Sequence, residues 1–410
     1  MARMIKASLL ACVIILTASA AALAASVPVP GTCPCKDSIQ KLVSTYEADP
    51  RFRELLDAAF ANMQQTPPDY GARNPWIGKS FPDLVSFMEQ WCTFLPEIHG
   101  SSDNGLKYIQ DMALFYYHNP FGVAFVQLNP GRDILQQFVR ERGAFMDSPE
   151  SAKIIAEWLS DVRIEKQDYA LPSPKAPDGG FKTYNEFFSR NLKDREKSRP
   201  VTMPERDYVI SAPTDCLMNS IPQVITDLST PITTKGNEAL NIVELLDGSK
   251  YAKKFVGGTA LSCVLMPNTY HHYHAPVSGT MVETKIVDGA FFGHPDFPTW
   301  ASSNGNVGGP GTDFSPFERF QRGYFIIDTG KYGHVAMVAV GLNTISSVVF
   351  KKPFDNLTKP VKVARGDELG YFLYGGSLFI MIFEPGRYES GAIQVRLGNQ
   401  IGVFDTTLNR

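Results

Sequence analysis

An excess of positive charge is the first thing this chain lacks. Its 39 lysines and arginines are outnumbered by 42 aspartates and glutamates, for a formal net charge of -3. Surfaces that track a phosphate backbone carry a basic excess, so nucleic acid is excluded as an expected partner. Long apolar runs are confined to the start. Arg3 and Lys6 precede an apolar stretch from Leu9 to Leu16, and Ala22-Leu23-Ala24 offers small residues for cleavage. Residues 1–24 thus have the pattern of a secretory signal peptide, and their apolar stretch is shorter than the roughly 20 residues a membrane span needs. The expectation is an exported chain, periplasmic or extracellular, with association at a membrane surface left open.

Cysteine is sparse as well, at six residues. After loss of the signal segment five remain, Cys33, Cys35, Cys92, Cys216 and Cys263, and an odd number cannot pair completely. Cys216 and Cys263 lie in strand-like apolar contexts and are expected to pack as free thiols, leaving any disulfide to Cys33, Cys35 or Cys92. Cys33-Pro34-Cys35 lacks the second ligand pair of a structural zinc site. His272-x-His274 resembles the start of a cupin metal motif, but Ser278 and Gly279 stand where its glutamate belongs, and no metal is expected.

What the chain has is enough apolar residue, 44% with 20% charged, to bury a large core in two or three domains. From Lys36 to Leu159 the pattern is helical. Asp49-Pro50 supplies a cap and a first-turn proline, and Phe52, Leu55, Leu56, Ala59, Phe60 and Met63 then repeat at the spacing of a buried helical face. Further helices are expected over Pro82–Leu95, Leu106–Tyr117 and Arg132–Phe145. The Pro/Gly-rich stretch Leu171 to Gly180 divides a helical region, residues 36–170, from a second region, residues 181–410. There Tyr184 to Lys193 reads as a short helix, followed by a charged run to Arg199-Pro200 whose default is a solvated face. Short β-branched or aromatic runs then take over: Tyr208–Ala212, Leu261–Leu265, Tyr324–Asp328, Val335–Val340, Ile345–Phe350 and Leu378–Phe383. The fold class expected is α+β, a helical lobe followed by a mainly β domain. The Gly/Pro/Ser/Asn-rich loop over 289–316 is either a substrate lid or a disordered insertion.

Two segments carry chemistry. Three of the seven histidines fall in Tyr270-His271-His272-Tyr273-His274-Ala275-Pro276-Val277-Ser278-Gly279, where strand alternation puts His272 and His274 on one face and His271 on the other. Near the end, Gly366 to Ser377 closes with Tyr374-Gly375-Gly376-Ser377 before the apolar run from Leu378. The glycine pair lets the backbone be approached closely ahead of a single hydroxyl. A nucleophile elbow is ruled out, because its closing glycine is replaced by Phe379.

Together Tyr184 to Lys193, Arg199-Pro200, Ser211-Ala212-Pro213-Thr214-Asp215, Tyr270-His271, His274 to Gly279, Asp328-Thr329-Gly330 and Gly366 to Ser377 resemble, in order, the phosphatidylserine decarboxylase family of pyruvoyl-dependent enzymes. The resemblance implies a hybrid β-barrel domain and self-cleavage of the Gly376-Ser377 bond. It implies a processing triad of Asp215, His274 and Ser377, and His271 as a second active-site histidine. The cofactor would be a pyruvoyl group derived from Ser377, on a C-terminal fragment 377–410 that stays with the rest of the chain. Such chemistry suits these residue types. The Ser377 hydroxyl needs a base such as His274, oriented by a carboxylate such as Asp215, to attack the Gly376 carbonyl. His271 is then the candidate proton donor after decarboxylation. Leu378 and Cys216 depart from the family's usual Thr and Gly at those places.

The implied substrate bears a primary amine and a carboxylate, with phosphatidylserine first. The helical region is similar in placement to the extension of fungal relatives that decarboxylate free tryptophan, so a free aromatic amino acid is the alternative. An unprocessed binding pseudoenzyme is a further one. A peripheral membrane contact and a homodimer remain open.

Overall fold

The computed structural model describes residues 33–68, 73–98, 107–221, 223–228, 239–296, 312–342 and 348–390. The signal-like segment 1–24, the middle of the 289–316 loop and the end of the 377–410 fragment lie outside them. Helices come first: α1 (Lys36–Ala48), α2 (Pro50–Ala61), α3 (Phe81–Cys92), α4 (Lys107–Phe115), α5 (Pro120–Gln127), α6 (Gly131–Met146) and α7 (Ile155–Ser160). Their ends follow from sequence. Asp49 accepts from the Arg51 and Phe52 N–H groups ahead of Pro50, and Ser80 and Asp83 form a reciprocal capping box at α3. A disulfide between Cys35 and Cys92, with Cα atoms 5.9 Å apart, ties the start of α1 to the end of α3. Arg142 on α6, fully buried, donates to Cys92 O at 2.9 Å and Phe94 O at 2.7 Å, satisfying carbonyls that the end of α3 leaves unpaired. None of the described helices is long and apolar enough to cross a membrane.

Three short helices follow, α8 (Tyr184–Phe188), α9 (Arg195–Ser198) and α10 (Ile242–Leu245), among the strands β1 (Leu217–Ile221), β2 (Val224–Thr226), β3 (Ala239–Asn241), β4 (Thr259–Leu265), β5 (His272–His274), β6 (Gly279–Val287), β7 (Arg322–Asp328), β8 (His334–Leu342), β9 (Val348–Phe350), β10 (Val361–Val363), β11 (Glu368–Phe372) and β12 (Gly376–Phe383). Seven strands form one antiparallel sheet in the order β1-β4-β12-β8-β7-β6-β10, and β5-β11-β9 form a second. The α+β class is as expected.

Strand β12 lies inside the large sheet, paired along its length with β4 and β8. Its alternate residues enter two cores. Leu378, Ile380 and Ile382 face one with Phe255 and Val338, while Phe379, Met381 and Phe383 face another that Tyr273, Phe350 and Phe372 of the small sheet complete. Burial on both faces is why this strand reads as an unbroken apolar run rather than an alternating one.

Two expectations are corrected. Tyr208–Ala212 belongs to no sheet; Tyr208 is exposed in a turn, Val209 N donates to Arg206 O at 3.3 Å, and Ser211 N donates to Pro276 O at 3.0 Å. Cys216 and Cys263 are joined to each other, Cα atoms 5.2 Å apart, because the segment leading into β1 lies beside β4. Of the expected strand Ile345–Phe350, Val348–Phe350 is a strand and 345–347 lie outside the described residues.

Candidate active site

The histidine cluster occupies a short strand whose two faces serve different surroundings. Tyr270, His272 and His274 share one face, with the Tyr270 ring stacked 5.0 Å from His272 and 5.8 Å from His274. His271 and Tyr273 turn the other way, as alternation requires. His274 Nδ1 sits 2.8 Å from Gly366 O and Nε2 3.1 Å from the Tyr270 hydroxyl. With Nδ1–H donating to the carbonyl, Nε2 accepts from tyrosine and the ring is neutral; burial holds its pKa below the ordinary histidine value. Gly366 meets this role with φ +94°, and a Cβ there would lie 2.6 Å from the Val201 side chain.

Asp215 arrives beside this strand through backbone and side-chain bonds. His274 N donates to Pro213 O at 2.8 Å, and Thr214 Oγ1 donates to Tyr270 O at 3.1 Å. Both Asp215 oxygens lie 3.0 Å from Arg199 Nε, and the same guanidinium reaches Asp168 at 2.7 Å and Glu165 at 3.1 Å. The charged run before Pro200 was expected to be solvated, yet its last arginine links the helical region to Asp215. The Arg-Pro pair closing that run was the available signal. Asp215 and His274 line one cavity of about 1070 Å³, together with Arg199, Tyr270, Leu261 and Met381.

His271 is buried against Phe188, the ring centroids 3.8 Å apart. Its Nδ1 lies 2.9 Å from Thr269 O, while Nε2 has no hydrogen-bond partner among the described residues. Burial, then the positive charge of Arg190, pushes its pKa well below the usual value. Arg190 was not singled out from sequence. It is itself buried, donates to Asn268 O at 2.7 Å and Thr269 O at 3.2 Å, and lies over the Tyr169 ring. The carbonyl that receives His271 is thus held by an arginine from the other side.

Ser377 stands at the start of β12, between Leu265 of β4 and Gly341 of β8, and is buried. Its Oγ is 3.5 Å from Gly375 O, and Gly375 has φ +149°, a conformation that favours glycine. Ahead of it Tyr374 N donates to Asn185 Oδ1 at 3.1 Å, and the Tyr374 ring packs edge-on against Phe188 at 5.4 Å. Phe188 therefore contacts both His271 and the turn that delivers Ser377. Asp215 and His274 line the same cavity, but among the described residues no hydrogen bond joins them: Gly366 O and the Tyr270 hydroxyl hold His274, and Arg199 holds Asp215. The paired register of Leu217, Val264 and Leu378 puts Asp215 about two strand spacings, roughly 10 Å, from the start of β12. Among the described residues the Ser377 hydroxyl makes no hydrogen bond to His271, His274 or Asp215.

All four residues fall inside residues 184–403, which match the family model described as Phosphatidylserine decarboxylase. The chain belongs to the phosphatidylserine decarboxylase family. It is 31% identical over 276 residues to phosphatidylserine decarboxylase proenzyme 2 of Oryza sativa subsp. japonica, covering 67% of this chain and 40% of that protein. With the phosphatidylserine decarboxylase proenzyme of Fusobacterium nucleatum it shares 29% over 67% of this chain and 81% of the relative. The Decarboxylase iboD of Amanita muscaria is 28% identical over 63% of this chain and 78% of its own. The chain thus spans less than half of the rice relative's length. The match to the decarboxylase family begins at α8, so α1 to α7 lie before it.

Proposed function

We propose that this chain is a self-processing, pyruvoyl-dependent decarboxylase of phosphatidylserine, cleaved between Gly376 and Ser377. The observation that carries the reading is Ser377, buried as the second residue of an internal strand directly after a Gly-Gly turn, within a segment matching the decarboxylase family. In processing, Ser377 Oγ attacks the Gly376 carbonyl carbon and the Gly376–Ser377 amide becomes an ester. Elimination releases the Gly376 carboxylate, and water then displaces ammonia to leave a ketone on residue 377. His274 is the proposed base, with a neutral ring and an Nε2 lone pair that the Tyr270 hydroxyl holds until a stronger claim arrives; Asp215 across the same cavity is its carboxylate partner.

The orphaned, buried Nε2 of His271 is where the group would fit, since Phe188 joins that ring to the turn before Ser377. A pyruvoyl ketone supplies an electrophile for a primary amine and a sink for the electrons that carbon dioxide leaves behind. With Nδ1–H donating to Thr269 O, His271 has a free lone pair at Nε2; it takes up a proton there from the substrate's ammonium group and returns it once carbon dioxide has left. Phe188, Tyr184 and Tyr374 exclude water around it. Export belongs to the same reading and is supported by the Cys35–Cys92 disulfide, a bond that persists in oxidising compartments.

Intact mass and carbon dioxide release test the proposal. Wild-type protein is expected to yield fragment 377–410 with a blocked N-terminus and to decarboxylate phosphatidylserine in mixed micelles faster than free amino acids. Ser377→Ala is expected to stay in one piece and release none. An unbroken wild-type chain with full activity refutes the mechanism, and preference for free tryptophan refutes the lipid substrate alone.

A further inference from the structure

Three sulfurs meet where α1 begins. The Sγ atoms of Cys33, Cys35 and Cys92 all lie within 4.8 Å of one another. Cys35 and Cys92 form the disulfide and are fully buried; Cys33 is a free, half-buried thiol. A thiol this close to both sulfurs of a disulfide is placed for exchange, in which a thiolate bonds to one sulfur and the other departs.

The two directions of attack are unequal. Attack on Cys92 makes a Cys33–Cys92 bridge that still ties α1 to α3 across a loop of nearly the original length, so little chain constraint is lost. The departing Cys35 thiolate is left at the N-cap of the 13-residue α1, where the positive end of the helix dipole stabilises negative charge. Attack on Cys35 would instead close a small ring across Pro34, release α3 and give up the long loop. The first direction is favoured.

We infer that Cys33, Cys35 and Cys92 form a thiol–disulfide exchange site, in which the bridge moves between Cys35–Cys92 and Cys33–Cys92 and the free thiol, when at Cys33, captures half of an external disulfide of the glutathione type. Both steps conserve disulfides. Internally, the Cys33–Cys92 bond forms as Cys35–Cys92 breaks, and the Cys33 proton ends on Cys35. Externally, the Cys33 thiolate bonds to one sulfur of the small disulfide, whose other sulfur leaves as a thiolate and takes up a proton. Moving the thiol to buried Cys35 stops capture, so the internal step gates the external one. Burial pushes the Cys33 thiol up, the Cys35 backbone bond lowers it in part, and the Glu89 and Glu141 carboxylates push it up again. Both steps therefore quicken as pH rises.

The test is disulfide mapping of the full-length wild-type chain, kept free of reductant, acid-quenched, then alkylated while unfolded and sequenced by fragmentation. The expected result is label divided between Cys33 and Cys35, with one glutathione per chain on Cys33 after incubation with oxidised glutathione. Cys35→Ser is expected to form Cys33–Cys92, and Cys33→Ser to keep Cys35–Cys92 and take up no glutathione. Label on Cys33 alone from pH 6 to 9, with no glutathione adduct, overturns the proposal even if both variants fail to fold.

Discussion

At the scale of single residues, His271 is the side chain whose chemistry is most constrained. One nitrogen is committed to Thr269 O, the other is buried without a partner, and Arg190 stands close behind the same carbonyl. His271→Ala is expected to leave self-cleavage intact while lowering the rate of carbon dioxide release by about 10²–10⁴-fold, the usual contribution of a positioned acid or base. Normal turnover by that variant would remove His271 from the reaction. Its burial also has a thermodynamic sign. The folded pKa is depressed, so the unfolded chain binds more protons below about pH 6.5, and stability must fall as pH drops through the window between the unfolded and folded values. His274 adds to the same slope. Glu368 behaves differently: burial opposes its ionisation, but hydrogen bonds from His272 and Lys351 outweigh this and hold it at about 2, so its contribution is lost only at lower pH. Urea midpoints measured from pH 7 to pH 5 are expected to fall, and to fall less in His271→Gln.

Among the elements, β12 carries both the proposed cleavage site and two cores. Its hydrophobic residues are fixed by neighbours on both faces, so trimming one leaves a cavity that cannot collapse easily. Ile380→Ala is expected to cost about 2–5 kcal/mol in urea unfolding. A change within error of zero would mean that the strand is not held as described. The same strand was readable in sequence because six consecutive apolar residues have few alternatives to double burial. Tyr208–Ala212 looked equally strand-like, but β-propensity describes a residue's fit to a paired surface, and among the described residues no strand pairs with that segment. The start of α2 was readable for a different reason: the Asp49-Pro50 cap acts within four residues, a range that needs no tertiary context, whereas the Ser80 and Asp83 box was missed.

For the molecule as a whole, the helical region and the β region share one core. The cluster that holds Leu42, Trp91 and Phe138 continues through Phe187 and Phe188 to Tyr270, Phe292 and Tyr374. Arg199 adds a charged link from Asp168 to Asp215. A chain starting at residue 171 would expose the aromatic surface that backs His271 and the turn before Ser377. It is expected to aggregate or to remain uncleaved, and size-exclusion chromatography with intact mass reads both. A monodisperse, fully processed 171–410 fragment would show that α1 to α7 are dispensable. By itself the sequence determined the class of fold, the Asp49-Pro50 cap, the buried run of β12 and the residue types able to do the chemistry, because periodicity and capping act locally. Tertiary structure alone decided which of those residues meet. Asp215 lines the cavity of His274 because residues 213–215 run beside β5, and His271 meets the Ser377 turn through Phe188 and through the bond from Phe372 N to His271 O, both far from it in the chain. It likewise paired Cys216 with Cys263 and set Cys33 against a disulfide, since proximity between distant segments is set by strand order and packing, which no local pattern encodes.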